Sequence, residues 1–381
     1  MELHNQSAAR PLLGIVTTPA SKRIFRGNLQ NFEEIIRTGN RMGYSAYVIT
    51  IDKLRLDQEK IQAYSYILKR KTWKTVKIPL PYVLYNRVPY RKHEEMTHVR
   101  SKLDECLKQP HTKMYNPSFF YKSSLMDWLL ASKLTKPYVP QTVRYNEKMD
   151  LRKYVSKHGT IYLKPEKGKA GSGIMRLQKA SSNKGYLLHI QEKKQTQFYK
   201  LSSWSQVKDT LNEYIKEKAY IVQQGIELAK YKSRPFDLRV LVQKNGKGLW
   251  TVTGIGARIA GEASITTHVP RGGSIGKPIQ LLQASFGKAA TKKILIKVKK
   301  TSVFIAKQIE KASGHRLGEM SMDLGIDRNE NLWFFEANSK PMKFDEKEIR
   351  NKSLEQLFQY SSYLARKIEA NRSGSHAMAG S

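Results

Sequence analysis

The stretch EMSMDLGIDRNENLWFFEAN, Glu319 to Asn338, constrains the fold of this chain more than any other. Two apolar runs flank the polar turn RNEN, and each carries an acid in its interior. The pattern reads as a β-hairpin. Setting Asp327 opposite Leu332 and counting back places Asp323 across from Glu336, and alternation puts Asn338 on the Glu336 face. Directly opposed residues have Cβ atoms about 5 Å apart, where two carboxylates repel. Met322, Leu324, Trp333 and Phe335 are apolar, so water would screen that repulsion poorly. A divalent cation removes the conflict. Oxygen ligands from Asp323, Glu336 and Asn338 suit Mg²⁺, which keeps waters and substrate phosphates as its other ligands. The competing reading is a hairpin whose acids align beside solvent.

A second feature stands upstream, KPEKGKAGSGIM, with Gly168, Gly171 and Gly173 among Lys164, Lys167 and Lys169. Glycines let a backbone approach phosphate closely, and lysines supply charge for it to meet. The order G-x-x-G-x-G is neither a Walker loop nor a dinucleotide fingerprint. TIYLK precedes the loop and IMRLQ follows it, so the unit is strand, glycine loop, strand. Lys164 ends an apolar strand just before the glycines, which separates it from the many solvated lysines of this chain. Arg258 follows TVTGIGA, a strand where an arginine is poorly placed unless it faces a cleft.

At 381 residues the chain has room for two or three cores. Its 68 Lys and Arg against 32 Asp and Glu leave a formal charge of +36, a field that favours polyanions. No RNP, zinc-finger or helix-turn-helix signature accompanies the charge, so no specific nucleic-acid partner is expected. TKKILIKVKK, Thr291 to Lys300, is the densest basic patch. No apolar run is long enough to span a membrane, and no membrane partner is expected. The first residues lack the features of a secretory signal, so a cytoplasmic location is expected. The single cysteine, Cys106, excludes an internal disulfide and a cysteine-based zinc cluster.

LLGIVTT and SAYVITI flank a helical pattern over Asn31 to Met42, a βαβ start closed by Gly43. PYVLYNRVP reads as the third strand and KMYNP as the fourth, followed by a helix through Ser123 to Lys133. Ser203 to Lys218 is an amphipathic helix with Val207, Leu211, Tyr214 and Ile215 on one face, leading into the strand AYIVQQGI. DLRVLVQ and LWTVTGIGARI form a hairpin about KNGK, and helices cover Thr301 to Ser313 and Ser353 to Glu369. The expected division is residues 1–118, 119–226 and 227–372, with 373–381 set aside as an added tail.

Glycine-lysine hairpin, QQGI strand end, arginine-bearing β segment and Asp…Glu-x-Asn hairpin stand here in one order. That order resembles the ATP-grasp superfamily, and the chain is most similar to its YheC/YheD group of endospore coat-associated proteins. NPSFFYKSSLMDWLL, YVPQT, YIVQQGIEL, RPFDLRVLVQ, GARIAG, RGGS and EANSKP carry the resemblance, most firmly from Asn116 to Pro341. It implies an α/β (α+β) ATP-grasp fold with an N-terminal βαβ pre-ATP-grasp domain, using ATP and Mg²⁺. Lys122 and Lys164 match the two lysines that contact ATP phosphates. The loop with Lys169, Gly171, Ser172 and Gly173 would close over the triphosphate. Gln223, Gln224 and Ile226 would hold adenine through backbone groups. Arg258 matches the arginine that stabilises the transferring phosphoryl group, with Lys164 beside it in catalysis. Asp237 and Arg239 match a D-x-R element that aids phosphate or substrate placement. Asp323, Glu336 and Asn338 match the Mg²⁺ ligands. THVPRGGS departs from the pattern by placing His268 and Arg271 where many relatives have an Asn, and Glu227 is the candidate ribose acid.

The implied chemistry is phosphoryl transfer from ATP to a carboxylate, then attack by an amine on the acyl phosphate to give an amide. Neither substrate is named by the sequence, and the basic charge would suit an acidic peptide or polymer. The resemblance also implies a place at the spore coat, with spore-coat proteins as partners. Two alternatives stay open. DLG, Asp323 to Gly325, resembles a kinase metal motif, although GHRLGEMSM supplies no kinase catalytic loop. The chain could instead be a nucleotide-binding scaffold or structural coat component without ligase activity.

Overall fold

The computed structural model describes residues 12–167, 172–180, 185–192, 195–216, 218–262, 264–267 and 272–378. Gly168, Lys169 and Gly171 of the glycine loop, with His268 and Arg271, lie outside these residues.

Strand β1 (Leu13–Thr17), helix α1 (Leu29–Arg41) and β2 (Ala46–Thr50) form the expected βαβ start. Asn28 caps α1 by accepting the Asn31 N–H at 3.1 Å. Next come β3 (Lys60–Ile67), β4 (Thr72–Pro79), β5 (Val83–Asn86), α2 (Arg91–Glu94), α3 (Thr97–Lys108) and β6 (Lys113–Tyr115). The six strands make one sheet in the order β4-β3-β2-β1-β5-β6, parallel from β2 to β6. PYVLYN is therefore the fifth strand, not the third. The β3–β4 hairpin was hidden by its lysines: Lys60, Lys74 and Lys77 face solvent while Ile61, Ala63 and Ile78 are buried.

Helix α4 (Lys122–Leu130), β7 (Thr142–Arg144), α5 (Leu151–His158), β8 (Thr160–Pro165) and β9 (Ile174–Lys179) follow. Then come β10 (Tyr186–Gln191), β11 (Thr196–Leu201), α6 (Trp204–Ile215) and β12 (Tyr220–Gln224). This second sheet is antiparallel in the order β11-β10-β9-β8-β12-β7, with β8 and β9 paired as a hairpin around the glycine loop. Ile161, Leu163, Met175 and Leu177 point into a core closed by α5 and α6. Alternation sends Tyr162, Lys164 and Arg176 to the opposite face.

The third sheet takes β13 (Lys230–Tyr231), β14 (Arg234–Lys244), β15 (Trp250–Ile259) and β16 (Ser274–Gly276). After α7 (Pro278–Ser313) it adds β17 (Glu319–Ile326) and β18 (Leu332–Asn338), and α8 (Lys347–Met378) follows. Strand order is β16-β15-β14-β17-β18, with β13 paired to β14. Helix α7 begins at Pro278 rather than Thr301. It breaks at Gly287, whose φ of 78° lies outside the helical region. TKKILIKVKK is helical because Thr291, Ile294 and Val298 are buried on one side of it, against Leu238, Val240 and Met322 of the sheet. Helix α8 runs on through residues 374–378, which the sequence reading sets aside, and its Leu357, Phe358 and Tyr360 pack into the core of the first sheet.

Buried polar groups join the first sheet to the third. Asn116, fully buried, donates to the Glu319 carbonyl at 2.7 Å and to the Ser339 carbonyl, and accepts the Gly318 N–H at 2.7 Å. The Glu319 carboxylate accepts from Tyr85 and from Gln243 at 3.1 Å, with Arg87 at 3.5 Å. Glu94 pairs with Lys340, and these side chains are only 6% and 3% exposed. Removing one partner of a buried pair leaves an uncompensated charge, at a cost of about 3–5 kcal/mol. Glu94→Ala should therefore lower unfolding free energy by about that much in chemical denaturation. Glu94→Leu combined with Lys340→Met should recover most of the loss.

Candidate active site

A cleft of about 680 Å³ lies between the second and third sheets. One wall is the outward face of β8 and β9, the floor comes from β14, β15, β17 and β18, and the chain after β12 closes one side.

The register of the second sheet sets Thr142, Gln223, Tyr162, Arg176, His189 and Phe198 in one row across six strands. Lys164 stands beside this row. Its ammonium donates to the Gln223 side-chain carbonyl at 2.5 Å and lies 5.4 Å from the centre of the Phe335 ring. Burial pushes its pKa down to about 8, with Glu336 and Asp323 opposing the shift and Lys122 adding to it. Lys122, first residue of α4, is therefore close enough to be felt electrostatically.

On the floor, Arg258 donates to both Asp237 oxygens, through Nε at 2.9 Å and through Nη2, and Nη2 also reaches Asp323 at 2.9 Å. These three side chains are 7% exposed or less. Burial disfavours the guanidinium charge, but Asp323 and Asp237 outweigh it and hold the pKa above the ordinary arginine value. Thr267 donates to Asp237 at 2.6 Å.

Asp323 pairs with Glu336 across the β17–β18 hairpin, and both line the cleft. The counting that leads there is nonetheless off by one at the turn, where Ile326 rather than Asp327 faces Leu332. A bulge at Phe335 restores the register before Glu336. It also turns the Phe335 ring into the cleft, where a Cβ on Gly325 would lie 2.5 Å from it. Asn338 faces Ser321 and does not line the cleft. Among the described residues, no three His, Cys, Asp or Glu side chains gather into a metal cage. Asp323 and Glu336 are the two carboxylates that the hairpin brings opposite one another.

Gln223, Gln224 and Ile226 line the cleft. Part of the backbone of this hinge is already committed. The Gln224 N–H is bonded to Gln141 and the Gly225 N–H to Thr160, each at 2.8 Å, so a base could take a donor only at Ile226 or beyond. The Gly173 N–H is likewise bonded to the Gln191 carbonyl at 2.7 Å, and Ser172 stands before it as a half-buried turn residue. Arg239 lies outside the cleft lining, with its guanidinium 5.4 Å from the Phe344 ring centre. Glu227 lines the rim, paired with Arg328 at 2.6 Å. Tyr162, Arg176, Thr267 and Phe335 are cleft residues the sequence reading lacks. Period-two counting from Lys164 and Ile174 would have reached the first two.

Arg176 donates to His189 Nδ1 at 2.8 Å. Burial and the arginine charge push the His189 pKa down to about 4. Between about pH 4 and 6.5 the unfolded chain binds a proton there that the folded chain does not, so stability falls as pH drops through this window. His189→Asn should reduce the slope of unfolding free energy against pH by about one proton, measured by urea denaturation from pH 7 to 4.

The model of the YheC/D like ATP-grasp family matches residues 111–364. The chain is 26% identical over 370 residues to the endospore coat-associated protein YheD of Bacillus subtilis (strain 168), covering 94% of this chain and 79% of that one. The D-alanine-D-alanine ligase from Coxiella burnetii superposes with a TM-score of 0.53 at 12% identity, over 97% of this chain and 98% of its own. The ATP-grasp ligase PsnB, solved with a minimal precursor, Mg and ADP, gives 0.51 at 14% identity, over 93% and 98%. These two likenesses concern the fold, which is ATP-grasp. By the family match over most of its length, the chain belongs to the YheC/D like ATP-grasp family.

Proposed function

We propose that this chain is an ATP-dependent carboxylate–amine ligase. One observation carries the reading: the cleft sets Lys164 on one wall, with Asp323, Glu336 and Arg258 on the floor facing it. The two carboxylates fit Mg²⁺, which takes few protein oxygens and completes its shell with phosphate and water. Asp323 and Glu336 would hold the ion, with Asn338 one register step away. Bound there, Mg²⁺ supplies charge neutralisation for phosphate oxygens. Lys164 binds and orients the phosphates, and Lys122 approaches them from the start of α4. The Phe335 and Tyr162 rings supply apolar and aromatic surface for the base. Arg258, kept charged by its two carboxylates, offers a fixed cation to a phosphoryl group in transfer.

The reaction would move the γ-phosphoryl of ATP to a carboxylate oxygen with release of ADP, after which an amine displaces phosphate and forms the amide. The basic chain suits an acidic peptide or polymer as the carboxylate. The name of YheD supports a role at the spore coat. Among the described residues no helix is long and apolar enough to cross a membrane.

Incubation with Mg-ATP and acidic peptides, followed by mass spectrometry, separates the readings. A ligase yields ADP and an amide-linked product, a kinase-type enzyme a stable phosphoester, and a scaffold neither. Glu336→Gln should reduce Mg-dependent ADP release by at least about a hundredfold while the melting temperature changes little. Lys164→Met should chiefly raise the KM for ATP. Wild-type turnover that persists with EDTA present would sink the metal assignment.

A further inference from the structure

The charge on α7 remains outside the cleft. All eight lysines from Lys288 to Lys311 are exposed, and this part of the helix contains no arginine. Its buried side holds Thr291, Ile294, Val298, Thr301, Ile305 and Ile309 against the third sheet. The lysines occupy the opposite half of the helix, with Ile296 and Phe304 among them at 55% and 41% exposure. Glu310 is the helix's only acid, and it is turned inward. Its oxygens accept from Lys244 at 2.5 Å, Trp250 at 2.8 Å and the Leu317 N–H at 3.1 Å. More than three turns earlier, Lys297 donates to the Glu330 carbonyl at 3.5 Å.

Like charges four apart on a helix repel, and the pairs Lys288/Lys292, Lys293/Lys297 and Lys307/Lys311 all have that spacing. A helix that needed only solubility would intersperse acids. The strip is one helix wide and about 35 Å long at 1.5 Å per residue, the span of roughly ten residues of extended chain. Lysine is a hydrated point charge, whereas paired recognition of phosphate favours the arginine fork. Exposed Ile296 and Phe304 offer contact to apolar side chains, which a phosphate backbone does not present.

We propose that the solvent face of α7 is a docking strip for an acidic polypeptide segment that also carries apolar residues. Alternation along β14, β15 and β17 puts this helix on one face of the third sheet and Asp237, Arg258 and Asp323 on the other. The strip is thus separate from the cleft. It recruits or tethers a partner and does not present the reacting group. This goes beyond the ligase reading and does not depend on it.

The test uses the full chain and a fluorescein-labelled peptide of about a dozen residues alternating glutamate with leucine, read by anisotropy at two salt concentrations. Lys292→Gln, Lys293→Gln, Lys299→Gln and Lys300→Gln together should weaken binding at least about tenfold, with helix content by circular dichroism unchanged. The same number of charges removed from the β3–β4 hairpin, at Lys69, Arg70, Lys71 and Lys74, should change it less than about twofold. Ile296→Ser with Phe304→Ser should weaken the leucine-containing peptide and spare an all-glutamate one. Equal losses from the two charge-removing variants would overturn the strip in favour of general attraction. Tighter binding of polyuridylate or of phosphatidylserine vesicles, lost in the same α7 variant, would overturn the acidic polypeptide as occupant. ATP binding measured in parallel tests the ligase reading separately.

Discussion

A guanidinium held between two buried carboxylates fixes the floor of the cleft. Arg258 comes from β15, Asp237 stands opposite it on β14, and Asp323 comes from β17 two residues along, so the triad ties three adjacent strands. Taking these charges out of water is unfavourable, and only their close pairing offsets it. Any sliding of β17 along β14 would separate the pair and leave Asp323 buried without it. The register of the strand opposite Glu336 is thus set by electrostatics as well as by backbone bonding. The buried joint of Asn116, Glu319 and the Glu94–Lys340 pair holds the start of β17 and the chain just after β18. Both ends of the floor are pinned by polar groups that have no good alternative position.

The second sheet is attached differently. Its inner core is apolar and self-contained, and its cleft face carries polar and aromatic side chains. Lys164 and Tyr162 reach from the wall toward Phe335 and the Ile265 carbonyl, and Glu166, just after β8, accepts from Ser123 of α4 at 3.0 Å. The wall is thus held by contacts at its edge and cleft face, and the floor by buried charge.

Much of this was legible because period-two patterning survives strong charge where a strand is buried. EMSMDLGI and LWFFEAN place their acids opposite one another despite a bulge that sequence cannot reveal, since two one-residue offsets cancel. The β3–β4 hairpin and the first half of α7 were not legible. In both, lysines crowd the exposed side and dilute the apolar period that one buried face would produce. Arg176 lies beyond the glycine-lysine loop and carries no motif of its own, although alternation continues the Tyr162 face onto β9 through it. Asn338 shares the Glu336 face by regular alternation, but it stands opposite Ser321, two residues farther along the hairpin, beyond the residues that line the cleft.

The distribution of charge divides the molecule's work. Lys164, Arg176, Lys230 and Arg258 line the cleft, and so do Glu227, Asp237, Asp323 and Glu336. Among the described residues four cations face four acids there, while the whole chain carries +36. The excess lies outside the described cleft lining, on surfaces such as α7 and the β3–β4 hairpin. Charges at those distances are screened within about 8 Å at physiological ionic strength, so they act weakly on chemistry at the floor. They act strongly on the approach of a polyanion, whose many charges sum over the field before contact. Inside the cleft the balance has the opposite value. A site already neutral among its own groups can hold a guanidinium charged and a lysine poised near pH 8, without drawing counterions that a phosphate would have to displace.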